Sequence, residues 1–466
     1  MKKKILLLSD DVRIPSGIGT MSKSFVMNSL KDFDWVQMGG AVKHPEAQKK
    51  LDISQLFAEE SGVKDASVIL YAVDGYGDPD ILRSVIALEK PDAILHFTDP
   101  RFWGWLYEME HEIRQHIPIM YYNIWDDLPF PHWNENAYES CDLLMAISKQ
   151  TYNINKHVCQ RKPRIEGKDL TYVQHGIDEN MFKPLDETDP GLVDFKHKMF
   201  GDREYEYIAL FNSRNILRKH PADLILAFDN FVKTIPEESR SKTALVLHTD
   251  VVDQAGTDLK AVAEKLAGDS NIIFSNGKLE SHQLNYLYNI ADVMCNPSSA
   301  EGFGLTHMEA MMSGIPTIAS VIGGLQDQMG FTVNGRPIGT EDFTEEIPSN
   351  STGKISREHG EWVYPLWPQV TLQGSPATPY IYDSRISIDQ ITRGLKYWYD
   401  MGSEIRNEKG LAGRTWAINN KFTAKGMAEA MINSINTCLE TWESRENFVL
   451  IDASVPPLKS PSGVLV

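Results

Sequence analysis

Ser298-Ser299-Ala300-Glu301-Gly302-Phe303-Gly304-Leu305-Thr306-His307-Met308-Glu309-Ala310-Met311-Met312-Ser313-Gly314 is the stretch on which the rest of the chain turns. It follows an apolar, strand-like run, Ala291 to Cys295. Leu305, Met308, Glu309 and Met312 then recur at three- and four-residue steps, the spacing of one helix face. Glu301 falls in the loop before that helix and Glu309 inside its early turns. Gly302 and Gly304 carry no side chain, so a ligand can lie against their backbone. A helix start presents unpaired N–H groups and a positive dipole end, which suits phosphate. Carboxylates beside a phosphate repel it, so Glu301 and Glu309 are expected to face sugar and ribose hydroxyls.

The Glu301-x7-Glu309 spacing continues into Ala310-Met311-Met312-Ser313-Gly314-Ile315-Pro316-Thr317-Ile318-Ala319 and a glycine pair, Gly323-Gly324. Together these residues resemble the signature of the retaining glycosyltransferases of the GT-B fold, family 4. The resemblance implies an α/β chain with two Rossmann-like domains facing across a cleft. It implies transfer of a sugar from a nucleotide-diphosphate sugar, a UDP-sugar being favoured, to a hydroxyl acceptor.

Bulk properties fit two domains. At 466 residues the chain exceeds one ordinary core, and 42% hydrophobic content is that of a globular protein. No apolar run reaches the length of a membrane span. Lys2-Lys3-Lys4 before Ile5-Leu6-Leu7-Leu8 reads as a first strand, because the run ends at Ser9-Asp10-Asp11 without a cleavage site. Cys141, Cys159, Cys295 and Cys438 are scattered without metal-ligand spacing, as reduced thiols of a cytoplasmic protein are. A net charge of −18 excludes a surface that grips nucleic acid all over, though not a local basic groove.

Residues 1–185 alternate strands and helices, the pattern of a parallel sheet covered by helices. Strands are expected at Ile5–Ser9, Trp35–Met38, Ser67–Val73, Ala93–Phe97, Ile117–Trp125, Leu143–Ile147 and Tyr172–Gln174, with Pro45–Ala58 mostly helix. A loop ending in Pro15-Ser16-Gly17-Ile18-Gly19 leads into helix. It reads as a phosphate cradle or a plain tight turn. In the family resembled, Gly17 and Gly19 approach the donor diphosphate. Residues 184–201 read as a linker. A second domain, 202–425, binds the donor by resemblance, with an insertion near 332–383 carrying Pro365, Pro368, Pro376 and Pro379. That insertion reads equally as an acceptor lid or a surface excursion packed on Trp362 and Trp367. Residues 426–466 continue a helix that crosses back onto the first domain and end in a loose tail.

Loss of a diphosphate requires cations or a metal ion. The sequence offers no ligand cluster for a metal. Arg214 and Lys219, five apart between strand and helix, match the basic pair of the family, which works without metal. Arg218 is a helper. By the same resemblance Glu301 stands by the donor sugar and Glu309 accepts from ribose hydroxyls. Gly302, Phe303, Gly304 and Leu305 offer backbone N–H groups, and Gly277, Lys278 and Leu279 meet the base unless they form an ordinary turn. Where many members carry a histidine against the donor sugar, this chain has Trp125, with Asp126 and His96 as candidate substitutes. Aromatic residues from Phe102 to Trp133 are either core or a stacking surface. A basic stretch, Lys156 to Lys168, is able to meet a phosphate backbone. The first domain resembles phage-encoded glycosyltransferases, some of which modify hydroxymethylated DNA bases. A modified DNA base and a surface glycan therefore both stand as acceptors. Two other readings share this architecture, a nucleotide-sugar epimerase and an inactive nucleotide-sugar binding module.

Overall fold

The computed structural model describes residues 2–47, 49–343 and 356–445. Two sheets organise it. The first contains β1 (Lys3–Asp10), β2 (Phe33–Gly40), β3 (Lys50–Asp52), β4 (Val68–Ala72), β5 (Ala93–Phe97), β6 (Ile119–Asn123), β7 (Leu143–Ala146) and β8 (Leu170–Tyr172). Their order is β3-β4-β2-β1-β5-β6-β7-β8. All neighbours are parallel except β3 and β4. The unbroken apolar run Ile5 to Leu8 is explained by burial on both faces, as a central parallel strand requires.

The second sheet contains β9 (Tyr207–Asn212), β10 (Thr243–His248), β11 (Ile272–Ser275), β12 (Val293–Asn296) and β13 (Thr317–Ser320). A short hairpin follows, β14 (Thr332–Val333) with β15 (Arg336–Pro337). β16 (Val363–Leu366) then completes the sheet, in the order β11-β10-β9-β12-β13-β16, every pair parallel. A second hairpin, β17 (Gln369–Ser375) and β18 (Thr378–Arg385), stands apart from both sheets. In each sheet the strand order reverses beside the first strand, between β1 and β5 and between β9 and β12. Such reversals open a crevice at the carboxyl ends of the strands.

Four expectations need correction. The segment 45–58 is not mostly helix: β3 pairs antiparallel with β4 and covers its edge, leaving helix only from Ser54. The strand placed at Tyr172–Gln174 ends at Tyr172, where its partner β7 also ends. The linker holds an eleven-residue helix, Pro190–Phe200, capped by Asp189, whose side chain accepts from Leu192 N at 2.9 Å. The insertion region contains β16, a true strand of the second sheet. Its Pro365 is tolerated because β16 is an edge strand. The tail expected at Val455–Val466 lies outside the described residues.

The chain crosses between lobes twice, side by side. Ile177 N donates to Phe422 O at 3.0 Å, and Ala424 N returns a bond to Ile177 O at 3.0 Å. A side chain at Gly176 would meet Thr423 O at 2.0 Å, so the two crossings touch backbone to backbone. The helix Ala424–Thr441 then lies on the first lobe against the helix Gly17–Ser29, burying Met427, Met431, Ile435 and Cys438.

Candidate functional site

The site forms where the carboxyl ends of β9 and β12 meet the first lobe. After β9 the chain makes a tight 3₁₀ turn, Leu217–Lys219, steadied by Asn215 Nδ2 donating to Thr257 O at 2.6 Å. That turn buries Lys219, whose ammonium donates to Glu301 Oε1. Ser298 Oγ and Asn296 Nδ2 also donate to this oxygen, at 3.2 and 3.4 Å. Arg218 Nη1 lies 3.7 Å from Glu301 Oε2 and donates to Ala300 O. Burial alone would raise the Glu301 carboxyl, but Lys219 and Arg218 outweigh it and hold the group at about 2. Burial lowers the Lys219 ammonium, and Glu301 opposes that shift.

The glycines have steric reasons. A Cβ on Gly304, at φ +90°, would meet Leu325 Cδ2 at 2.4 Å. One on Gly323 would meet Glu301 O at 2.1 Å, and one on Gly324 would meet Gly302 O at 2.2 Å. The glycine pair therefore packs its backbone on the Glu301–Gly304 loop, and Gly324 N donates to Glu301 O at 3.0 Å. Phe303 is buried between His175 and Phe422. Leu305 begins the helix Leu305–Met312 and meets the first lobe, where a Cβ on exposed Gly17 would lie 3.5 Å from Leu305 Cδ1. Gly19 serves the turn itself, since a Cβ there would strike Ile14 O at 2.4 Å.

Half-buried Glu309 accepts from Tyr288 Oη at 2.6 Å, and Tyr288 Oη in turn accepts from Asn212 Nδ2 at 2.8 Å. Burial pushes the Glu309 carboxyl up to about 7, against the Tyr288 bond, which lowers it. Gly277 adopts φ +90° with open space where a Cβ would stand, Lys278 is exposed and Leu279 packs on the core.

Arg214 does not join this cluster. Its guanidinium is two-thirds exposed and pairs with Asp253 at 2.8 Å. The cation beside Lys219 is Arg218, ranked only as a helper in the sequence, because the 3₁₀ turn carries adjacent residues to the same carboxylate. His96 is no substitute at the donor sugar: it is fully buried, bonded to Tyr107 Oη at 2.6 Å, and burial pushes its imidazole down to about 3. Asp126 does reach the site. Its carboxyl is raised by burial and by Glu301, while Arg218 lowers it.

Trp103, Tyr121 and Tyr122 are core. Arg164 of the basic stretch is buried, donating to Cys141 O at 2.7 Å. Lys162 and Lys168 lie with Asp142 and Asp169 in a hollow at the amino ends of β7 and β8, opposite the crevice. Asn296, Ser298 and Tyr288 were missed. Ser298 and Asn296 offered only their position at a strand end as a signal. Among the described residues no three His, Cys, Asp or Glu side chains gather as a metal ion requires. No described helix is long and apolar enough to cross a membrane.

Two largely parallel sheets facing across a crevice, with a buried carboxylate and two cations at the switch point, are the GT-B arrangement of two Rossmann-like domains. Residues 193–346 match the family model of the glycosyl transferases group 1. The chain is 26% identical over 192 residues to mannosylfructose-phosphate synthase of Agrobacterium fabrum, covering 40% of this chain and 39% of that protein. Sucrose-phosphate synthase of Thermosynechococcus elongatus superposes with a TM-score of 0.64 at 15% identity, over 94% of this chain and 100% of that one. Anabaena HepE, in complex with UDP-glucose, does so with a TM-score of 0.57 at 15% identity, over 93% and 99%. The chain spans from about a third to just over half the length of three of the curated relatives it matches, and less than a fifth of another. The group 1 family model thus matches about a third of the chain, and the likeness to the solved structures shows the GT-B fold.

Proposed function

We propose that this protein is a glycosyltransferase that moves a sugar from a nucleoside-diphosphate sugar to a hydroxyl acceptor with retention of configuration. The observation that carries the reading is the Glu301–Lys219–Arg218 cluster, set where β9, β12 and the Gly17 loop converge. The anomeric carbon–oxygen bond to the diphosphate breaks, and the acceptor oxygen bonds to that carbon from the same face. The acceptor proton passes to the departing phosphate oxygen. Lys219 and Arg218, released in part from Glu301, take up the growing charge, with N–H groups of Gly302, Phe303, Gly304 and Leu305 beside them. Glu301 steadies the oxocarbenium-like sugar, and Glu309 accepts from the ribose.

UDP is the favoured nucleotide, consistent with the UDP-glucose complex of HepE. Fixed cations carry the leaving-group charge, so activity is expected to survive EDTA; loss restored only by magnesium or manganese would overturn that mechanism. A sugar hydroxyl is the acceptor favoured over a DNA base, because the basic stretch lies at the far end of the first sheet from the crevice. Four buried free thiols suit a reducing compartment such as the cytoplasm.

The test is nucleotide release from a panel of UDP-, GDP- and ADP-sugars, with and without sugar acceptors, followed by NMR of the product linkage. Retention with acceptor-dependent turnover supports the reading. Conversion of the donor sugar without acceptor would make the protein an epimerase. Binding without turnover, unchanged in Glu301→Gln, would make it a binding module.

A further inference from the structure

The hairpin β17–β18 leaves the second lobe and docks on the first. Tyr382 N donates to Leu128 O at 2.7 Å, and Tyr380 Oη donates to Phe130 O at 3.3 Å. The Tyr380 ring meets Trp133 edge-on at 4.6 Å, and Arg101 Nη1 donates to Thr378 Oγ1 at 2.8 Å. A two-stranded ribbon has little stability alone. These contacts across the crevice fix its position.

Strand alternation gives the ribbon two faces. Thr371 opposes Asp383, Gln373 opposes Ile381 and Gln369 opposes Arg385. Gln373, Asp383 and Arg385 therefore share the face opposite to Tyr380 and Tyr382. They form one wall of a cavity of about 440 Å³, and Arg218, His220 and Asp223 form the other. The cavity adjoins the transfer site directly. Arg218 lines it while standing 3.7 Å from Glu301, and Ser299, also in the wall, donates its N–H to Arg218 O at 2.8 Å.

Its polar groups are of mixed sign. Asp223 is shared by His220 Nδ1 at 3.4 Å and Arg385 at 3.7 Å. The side chains of Gln373 and Asp383 make no hydrogen bond or ion pair among the described residues. His220 Nε2 is buried without a hydrogen-bond partner among them. His220 also holds the left-handed conformation, φ +52°, a strained geometry that recurs at functional sites. An amide, a carboxylate and a ring nitrogen left unused suit a neutral ring of alternating hydroxyl donors and acceptors. Arg218 and Arg385 offset Asp223 and Asp383, so the wall carries no net charge with which to select a single anion.

We infer that the cavity between the Leu217–Asp223 turn and the β17–β18 hairpin is the acceptor subsite, and that it takes a neutral sugar or cyclic polyol of one or two rings. The inference rests on the glycosyltransferase reading for its role and on the cavity alone for its ligand. Calorimetry on the full chain saturated with UDP tests it, using glucose, mannose, fructose and myo-inositol, each with and without a phosphate ester. Binding of at least one unphosphorylated compound is expected, weakened at least tenfold by Asp383→Asn and by Gln373→Ala, with UDP affinity within about twofold of wild type. In turnover the same variants raise the acceptor KM at least tenfold and leave the donor KM within about twofold. Equal sugar affinity in wild type and both variants, or binding of the phosphate esters alone, overturns the subsite. Loss of sugar binding in the variants of a protein that turns over no nucleotide sugar keeps the subsite and removes the transferase reading. Turnover with an unchanged acceptor KM does the reverse.

Discussion

The ammonium of Lys219 and the carboxylate of Glu301 are buried against each other, 82 residues apart in the chain and joined by a direct hydrogen bond. Removing one partner of such a pair strands a charge, at a cost of about 3–5 kcal/mol, while replacing both is far less costly. Lys219→Ala is therefore expected to lower unfolding free energy by roughly 3 kcal/mol in urea and turnover by about two orders of magnitude or more. Lys219→Met with Glu301→Gln should recover most of the stability and none of the activity. Recovery of both would make the pair purely structural.

Arg218 and Arg214 separate in the same way. Arg218 faces Glu301 and Arg214 faces Asp253. Arg218→Ala is expected to reduce kcat/KM at least about tenfold, and Arg214→Ala less than about threefold, since exposed pairs contribute little. The opposite ranking would mean that the donor draws Arg214 away from Asp253.

Glu309 carries a pH signature. Its carboxyl titrates near 7 in the folded chain, against an ordinary 4.5. Between these values the folded state holds a proton that the unfolded chain releases. Stability from this group therefore falls as pH rises from 4.5 to 7, by up to about 3 kcal/mol, and stays lower above. Glu309→Gln should gain stability at pH 8 and match wild type at pH 4 in thermal melts. Donor affinity should rise through pH 7 as the carboxylate forms, and the same variant should flatten that rise in calorimetry.

Gly324→Ala forces a methyl toward Gly302 O, which is backbone and cannot step aside. A loss of roughly 1–3 kcal/mol is expected, with donor affinity falling at least tenfold as the Glu301–Gly304 loop is pushed from the crevice. Melting and UDP calorimetry read the two effects. An unchanged UDP affinity would detach this loop from donor binding.

Much of the architecture was legible because parallel strands buried on both faces announce themselves as apolar runs, as at Ile5–Leu8 and Tyr207–Phe211. β16 was not, since Pro365 speaks against a strand until its edge position is known. The helix at Pro190–Phe200 was hidden by its acidic flanks, although Asp189-Pro190 is a helix start. The Glu301 loop was readable from short-range spacing. Which arginine reaches Glu301 was not, because that depends on the phase of one 3₁₀ turn 82 residues earlier. The use of Lys162 and Arg164 away from the crevice depended on which end of the sheet they reach, and composition carries no such information.

The returning helix Ala424–Thr441 has a practical corollary for anyone dissecting the molecule. The first lobe is discontinuous in sequence: Phe25 and Val26 share one apolar cluster with Met427, Met431 and Ile435. A fragment cut at residue 185 would expose that seam to water and is expected to aggregate, whereas a permuted chain that splices 421–445 ahead of residue 2 would carry its own cover.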